Sequence, residues 1–323
     1  MFNINIKEAC LSNYLITGGA GFIGSNIADR LIQEGHSIRI LDDLSSGKME
    51  NLRKIETKVD FIKGCISNKT IAEKVVKDMD YILHQAALRS VPKSIDNPEN
   101  FNRINIEGSL NLLLAATKQK IKKFVFASSS SIYGNAQGFP QKETFLPQPI
   151  SPYAITKITG EYYCRVFAEC YGLKTASLRY FNVFGPRQDL EDEYSVVIPK
   201  FITCMIKGTP PPVHGDGTQS RDFTYIDNVV EGNLLVCSKD QGKGEVYNIA
   251  CGQEQNLLDL INNINKILGK DIKPTFQKSR AGDVKRTLAD ISKIKSALGW
   301  KPSVNFGNGL EKTVKWWMEC QNN

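Results

Sequence analysis

The stretch Thr17-Gly18-Gly19-Ala20-Gly21-Phe22-Ile23-Gly24 follows one apolar run, Asn13–Thr17, and opens an amphipathic one, Gly24–Glu34. The first run reads as a strand. The second reads as a helix with Ile27, Leu31 and Ile32 on one face. Each glycine of the repeat has a separate reason. Gly18 permits the tight turn, Gly21 lets the backbone approach a pyrophosphate, and Gly24 lets the helix pack on the strand. The helix N-terminus then offers N–H groups and a positive dipole end to phosphate. G-x-x-G-x-x-G spacing alone is a weak signal, with a glycine-rich turn that binds nothing as the plain alternative. The flanking strand and helix, and Asp42 at the end of the next strand, make the combination specific for a dinucleotide. A carboxylate at Asp42 accepts hydrogen bonds from both adenosine ribose hydroxyls and repels a 2′-phosphate. No arginine directly follows Asp42 and Asp43, which favours NAD over NADP.

Outward from this loop the pattern repeats. Ser37–Leu41, Asp60–Ile62, Asp80–His84, Phe124–Ala127 and Thr175–Leu178 are strand candidates, and Asn105–Gln119 and Ala154–Tyr171 read as helices. Alternation of this kind predicts an α/β fold, a doubly wound parallel Rossmann sheet with helices on both faces. After Arg179 the pattern changes. Pro186, Pro199, Pro210, Pro211 and Pro212, with Gly215 and Gly217, predict loops and short elements in a smaller, partly interleaved C-terminal α/β substrate lobe. Asp227–Ser238, Asn256–Leu268 and Ser303–Glu319 read as helices there, and Val246–Ala250 as extended. The expected division gives residues 1–180, plus about 223–250, to the NAD domain. About 181–222 and 251–323 then form the second, smaller lobe.

The 323 residues are 41% hydrophobic and 23% charged, an ordinary globular composition. No apolar run approaches the roughly 18 to 20 residues of a membrane span. Met1–Asn13 is polar and lacks a signal-peptide pattern. The net charge of +7 is spread along the chain, so neither nucleic acid nor membrane is an expected partner. The eight cysteines, Cys10, Cys65, Cys164, Cys170, Cys204, Cys237, Cys251 and Cys320, show no C-x-x-C pair. They read as reduced structural thiols of a cytoplasmic protein without a metal site.

Tyr153 and Lys157 are four apart at a helix start, so their side chains share a face. Tyrosine is a poor base near neutral pH, with a reference pKa of about 10. The Lys157 ammonium and a nicotinamide ring would favour the phenolate, which could take a proton from a sugar hydroxyl as hydride leaves the same carbon. Y-x-x-x-K alone is common and fits an ordinary helix surface. Ser128-Ser129-Ser130-Ser131 upstream, just past a strand, places hydroxyls at the carboxyl edge of the sheet, where such folds bind ligands.

Together these features resemble the extended short-chain dehydrogenase/reductase family and its nucleotide-sugar 4-epimerases. Shared stretches include His84-Gln85-Ala86-Ala87, Arg179-Tyr180-Phe181-Asn182-Val183-Phe184-Gly185, Ser220-Arg221-Asp222-Phe223 and Arg280-Ala281-Gly282-Asp283. Ser90-Val91-Pro92-Lys93-Ser94 and Leu288-Ala289-Asp290-Ile291-Ser292 are similar to the UDP-N-acetylhexosamine 4-epimerases. The resemblance implies that Ser129, Tyr153 and Lys157 are catalytic. It implies cofactor contacts at Gly18, Gly21, Phe22, Ile23, Gly24, Asp42, Ser46, Gly47, Gln85, Ala86, Ala87 and Asn105, besides Tyr153 and Lys157. For the UDP-sugar it implies Arg89, Ser90, Ser129, Ser130, Ser131, Tyr153 and Asn182, with Arg221 and Arg280 clamping the diphosphate and Asp283 the uridine ribose. Cys65 in Gly64-Cys65-Ile66 departs from the aspartate that relatives carry there for the adenine amine.

Related dehydratases place an acid pair after the catalytic hydroxyl. Ser130 and Ser131 cannot drive that elimination, which favours epimerisation at C4 through a 4-keto sugar with tightly bound NAD+. The resemblance puts Thr287 beside the sugar C2 group, where its size leaves room for an acetamide. UDP-N-acetylglucosamine and UDP-N-acetylgalactosamine are the expected pair, with UDP-glucose and UDP-galactose as further substrates. UDP-glucuronate or UDP-N-acetylglucosaminuronate stays open, with Arg89 as the cation for C6. A non-catalytic NAD-binding regulator is the alternative from another class. The family implies a homodimer formed through Asn105–Gln119 and Ala154–Tyr171.

Overall fold

Burial on both faces explains why the first strand reads as an unbroken apolar run: Tyr14, Leu15, Ile16 and Thr17 are all buried. In the computed structural model the described residues are 11–134, 138–189, 197–278 and 285–321. The chain passes through β1 (Asn13–Thr17), α1 (Phe22–Gln33), β2 (Ser37–Asp42), β3 (Val59–Lys63), α2 (Lys69–Val75), β4 (Tyr81–His84), α3 (Val91–Asp96) and α4 (Pro98–Phe101). A π-helical turn, Asn102–Glu107, leads into α5 (Gly108–Lys118), then β5 (Lys123–Ser129), α6 (Pro152–Tyr171) and β6 (Thr175–Tyr180). Beyond lie β7 (Val183–Phe184), α7 (Val197–Ile206), β8 (Pro212–His214), β9 (Ser220–Arg221), β10 (Thr224–Tyr225), α8 (Ile226–Ser238) and β11 (Lys243–Ile249). The chain ends in β12 (Gln255–Asn256), α9 (Leu257–Leu268), β13 (Thr275–Gln277), α10 (Ser292–Leu298) and α11 (Phe306–Gln321).

The main sheet has seven strands in the order β11-β6-β5-β4-β1-β2-β3, every neighbouring pair parallel. This is the doubly wound Rossmann order with one strand added beyond β6. The order reverses between β1 and β4, and the crevice outside their carboxyl ends is where such sheets bind ligands. One apolar cluster, including Ile16, Ile27, Leu31 and Ile40, lies on one face and runs on into α7, α9 and α11. A second, including Leu15, Leu112, Phe124 and Phe167, packs α2, α5 and α6 on the opposite face.

Two local findings differ from the sequence reading. The segment after Arg179, where the sequence predicts loops and short elements, holds a ten-residue helix, α7. Pro199 falls in its first turn, where the missing N–H has no intrahelical partner to lose, so it starts the helix rather than breaking it. The helix expected from Asn105 begins regularly only at Gly108. Asn105 itself sits in the π-helical turn before it. Among the described residues no helix is long and apolar enough to cross a membrane.

Candidate active site

The glycine loop leaves β1 and enters α1 at Gly21, a helix cap without a side chain. A Cβ on Gly18, whose φ is +69°, would come within 2.7 Å of the Ala86 backbone nitrogen. A Cβ on Gly24 would strike the Gly18 carbonyl and sit 2.8 Å from the Gly19 Cα. On Gly21 a Cβ would meet only the Gly18 carbonyl, at 3.2 Å. Two glycines therefore serve close packing, and the one between them lies against a cleft of about 520 Å³. Gly18, Gly21, Phe22 and Ile23 line one stretch of it, Asp42 and Ser46 another, and Gln85, Ala86 and Ala87 a third. Tyr153 and Lys157 line it as well, and so does Arg89.

At the β2 end, Asp42 accepts backbone N–H bonds from Ala20 and Leu44, each at 2.9 Å. Burial raises its pKa and these donors oppose the rise. Gly47 lies so close that a Cβ would stand 2.7 Å from the Asp42 carboxylate. Cys65 lines this end too, its Sγ 3.2 Å from the Ser67 hydroxyl.

At the β4 end, the buried His84 ring bridges Thr17 Oγ1 (2.7 Å) and Ser109 Oγ (2.8 Å), tying β1 and β4 to α5. Burial, reinforced by Lys157, lowers its pKa to about 3. The unfolded value is about 6.5. Between those limits the unfolded chain binds the extra proton, so stability is lost as pH falls through that window. We expect a loss of about 2 kcal/mol between pH 7 and pH 5 from this residue. Urea unfolding of a His84→Asn variant should show that part of the acid sensitivity removed; an unchanged pH slope would refute the assignment.

Asn105 was expected to touch the cofactor. Its Oδ1 accepts from Leu88 N at 2.8 Å, while its Nδ2 donates to Leu88 O (2.9 Å) and Thr156 Oγ1 (3.0 Å). The side chain is buried and engaged within the protein, so it anchors the Leu88 backbone and does not line the cleft. Ser90 likewise turns inward, its φ of +91° and its hydroxyl starting α3. The positive φ at Ser90 and the Asn105 clamp on Leu88 flank Arg89 on either side along the chain.

Ser151 caps α6 through the Ala154 N–H at 3.2 Å, and Pro152 opens the first turn, so Tyr153 stands at the N-terminal end of the helix. Lys157, one turn on, donates to the Ala127 carbonyl of β5 at 2.8 Å, with its Nζ 5.8 Å from the centre of the Tyr153 ring. Burial raises the Tyr153 pKa above its ordinary 10, and the Ser129 hydrogen bond and the Arg89 charge oppose that rise. The sequence reading assigned the opposing charge to Lys157. The ammonium instead faces the β5 backbone, and burial lowers its own pKa to about 8. Ser129 also accepts from the Ser131 N–H at 3.1 Å, closing the short turn that carries Ser130 and Ser131. The Ser131 hydroxyl is buried without a partner among the described residues.

Asn182, Arg221 and Thr287 lie off the wall of this cleft, in a hydrogen-bonded cluster. Asn182 Nδ2 donates to the Asp222 carbonyl (3.2 Å) and to Thr287 Oγ1 (3.0 Å). The Asp222 N–H also donates to Thr287 Oγ1 (3.2 Å), and Arg221 Nη1 to the Ser220 carbonyl (2.9 Å). Arg280 and Asp283 fall outside the described residues. One side of the cleft carries no signal in the sequence: Lys48, Arg187, Gln188 and Asp189, with Trp316 and Trp317 from α11. Nothing in local spacing links these positions to the glycine loop.

Residues 14–250 match the family described as the NAD dependent epimerase/dehydratase family. The chain belongs to this family. NAD is its cofactor, and the glycine turn, the Asp42 carboxylate and the continuous cleft from Asp42 to Tyr153 fit that group. A protein of Methanocaldococcus jannaschii named a putative UDP-glucose 4-epimerase is 39% identical over 94% of this chain and 97% of its own. Among solved structures, a UDP-N-acetylglucosamine 4-epimerase of Methanobrevibacter ruminantium, in complex with UDP-N-acetylmuramic acid, has a TM-score of 0.92 at 42% identity. That match covers 96% of this chain and 99% of the other. A UDP-glucuronic acid 4-epimerase of Bacillus cereus, with UDP-glucuronic acid and NAD bound, has a TM-score of 0.88 at 34% identity. It covers 95% of this chain and 99% of the other.

Proposed function

We propose that this family member is a UDP-sugar 4-epimerase that interconverts UDP-N-acetylglucosamine and UDP-N-acetylgalactosamine, with UDP-glucose and UDP-galactose as further substrates. The observation that carries the reaction type is the setting of Tyr153 on the cleft wall: the Ser129 hydroxyl opposes the rise that burial gives its pKa, and Ser129 is followed by two serines where an eliminating enzyme needs acids. Tyr153 takes the C4 hydroxyl proton and later returns it, and Ser129 shares the hydrogen bond with that hydroxyl. Bound NAD+ supplies the hydride acceptor and a positive ring charge that offsets the burial penalty on the Tyr153 phenolate. Lys157 holds the nicotinamide ribose and is itself held by the Ala127 carbonyl. Arg221, Arg280 and Asp283 hold the UDP, and Asn182 holds the sugar-phosphate side.

Thr287 supports the acetamido sugar by its size. Because its hydroxyl also accepts from Asn182, the informative quantity is the difference between two substrates. In Thr287→Tyr, kcat/KM for UDP-N-acetylglucosamine should fall about tenfold more than for UDP-glucose. Equal losses would remove the steric argument.

Arg89 favours a second reading, a UDP-glucuronate or UDP-N-acetylglucosaminuronate 4-epimerase. Its charge acts at Tyr153, next to where C4 must lie, and it would pair with a C6 carboxylate. Incubating the purified protein with each UDP-sugar and no added NAD separates the possibilities. A C4 epimer of UDP-N-acetylglucosamine supports the first reading, and an epimer of the uronate alone supports the second. A product of changed mass, or none from any sugar, would overturn both.

The division into an NAD domain and a sugar-nucleotide lobe is part of the same proposal. So is a homodimer, supported by Ile155, Tyr162 and Val166, exposed on one face of α6. Light scattering in solution tests it.

A further inference from the structure

The segment after β7 crosses to the N-terminal half of α1. Asn26 Nδ2 donates to the Pro186 carbonyl at 3.3 Å, and Arg187 Nη2 pairs with Asp29 Oδ2 one turn further along α1. Arg187 holds a φ of +71°, a left-handed conformation that costs a residue with a Cβ. Its side chain is only 15% exposed, yet Nη1, like the Oδ1 of its partner Asp29, is buried without a hydrogen-bond partner among the described residues. A buried guanidinium N–H left unmade is expensive, so its presence asks for an acceptor. The same side chain lines the cleft together with Gly21, Phe22 and Ile23, where the start of α1 presents its N–H groups. Asp189, two residues on, pairs with Lys48 at 3.2 Å.

We propose that Arg187 is a diphosphate ligand for NAD, so that the cofactor is gripped by α1 on one side and by the segment after β7 on the other. One edge of the guanidinium latches onto Asp29. The other edge donates to a phosphate oxygen, the charge-assisted arrangement for which arginine is suited. The cofactor then completes the junction between the sheet and the segment after β7, and NAD retention depends on a residue outside the glycine loop. The inference rests on NAD as cofactor and is independent of which sugar is turned over.

The test is titration of NAD-stripped protein with NAD and with adenosine, which lacks the diphosphate, for the wild type and for Arg187→Gln, Arg187→Lys and Asp29→Asn. Arg187→Gln should weaken NAD binding by about 10- to 100-fold. Adenosine binding should change less than about twofold, and Arg187→Lys should recover part of the loss because a charge remains. Asp29→Asn, which breaks only the latch, should weaken NAD less than Arg187→Gln. Unchanged NAD affinity in Arg187→Gln overturns the proposal. So does a parallel loss of adenosine binding, or an equal loss in Asp29→Asn, since each would mean that Arg187 acts as a latch alone.

Discussion

Replacing Tyr153 with phenylalanine is expected to lower kcat by about 10²- to 10⁴-fold, the range for loss of a positioned acid–base group. The ring keeps its surroundings: its edge-to-face contact with Phe101 at 6.5 Å and the Lys157 ammonium at 5.8 Å do not involve the hydroxyl. The variant should therefore retain NAD and melt close to the wild type, which separates lost chemistry from lost structure. A phenylalanine variant with more than a tenth of the activity would remove Tyr153 from the reaction. The pH profile gives a second check. Lys157 is lowered to about 8 by burial, and a cation with a lowered pKa keeps its proton only below it. Activity that needs the ammonium should therefore decline above about pH 8. A rate that keeps rising through pH 9 would show that the charge on Lys157 is dispensable.

Glu161→Gln is expected to cost about 3–5 kcal/mol of stability, the usual penalty for stranding one partner of a buried ion pair. Glu161 and Arg179 meet at 2.7 Å with side chains 3% and 4% exposed. Burial opposes the Arg179 charge, but the Glu161 hydrogen bond and charge outweigh it, raising its pKa. The pair anchors a larger network. Ser128 donates to Glu161, Arg179 Nη1 donates to Tyr133 OH at 2.9 Å, and Tyr133 donates to Asn248 Oδ1 at 2.7 Å. Glu161 lies one turn beyond Lys157 on α6, and Ser128 precedes Ser129 on β5, so the network braces both elements that carry Ser129, Tyr153 and Lys157. A Glu161→Leu/Arg179→Leu double variant should cost less than Glu161→Gln alone, because no charge is left buried. Urea unfolding measures both. A double variant as unstable as the sum of its singles would show that the ion pair contributes little beyond the packing of two side chains.

The glycine turn, Asp42 and the first six strands were legible because their causes are local. A strand buried on both faces is apolar throughout, and a tight turn against a helix start needs glycine wherever a Cβ would collide. Tyr153 and Lys157 were legible as a pair because four residues make one helical turn. α7 was not, because Pro199 ends a pattern in the middle of a helix and is tolerated at its beginning. The resemblance implies a cofactor contact at Asn105; no local pattern shows that its amide bonds Leu88 and Thr156.

The sequence by itself determined that this chain binds a dinucleotide at the carboxyl edge of a parallel sheet and carries a hydroxyl–tyrosine–lysine set beside it. Those features depend on residues near one another along the chain, where spacing and residue type are sufficient. Only the tertiary structure decided what surrounds them. Arg89 acts on Tyr153 across 64 residues of chain, and Arg179 reaches back to Glu161 from the next strand. Arg187 closes onto an α1 residue 158 positions earlier. Charge and hydrogen bonding act over a few ångströms of space, and which residues share those few ångströms is settled by how the sheet and helices pack.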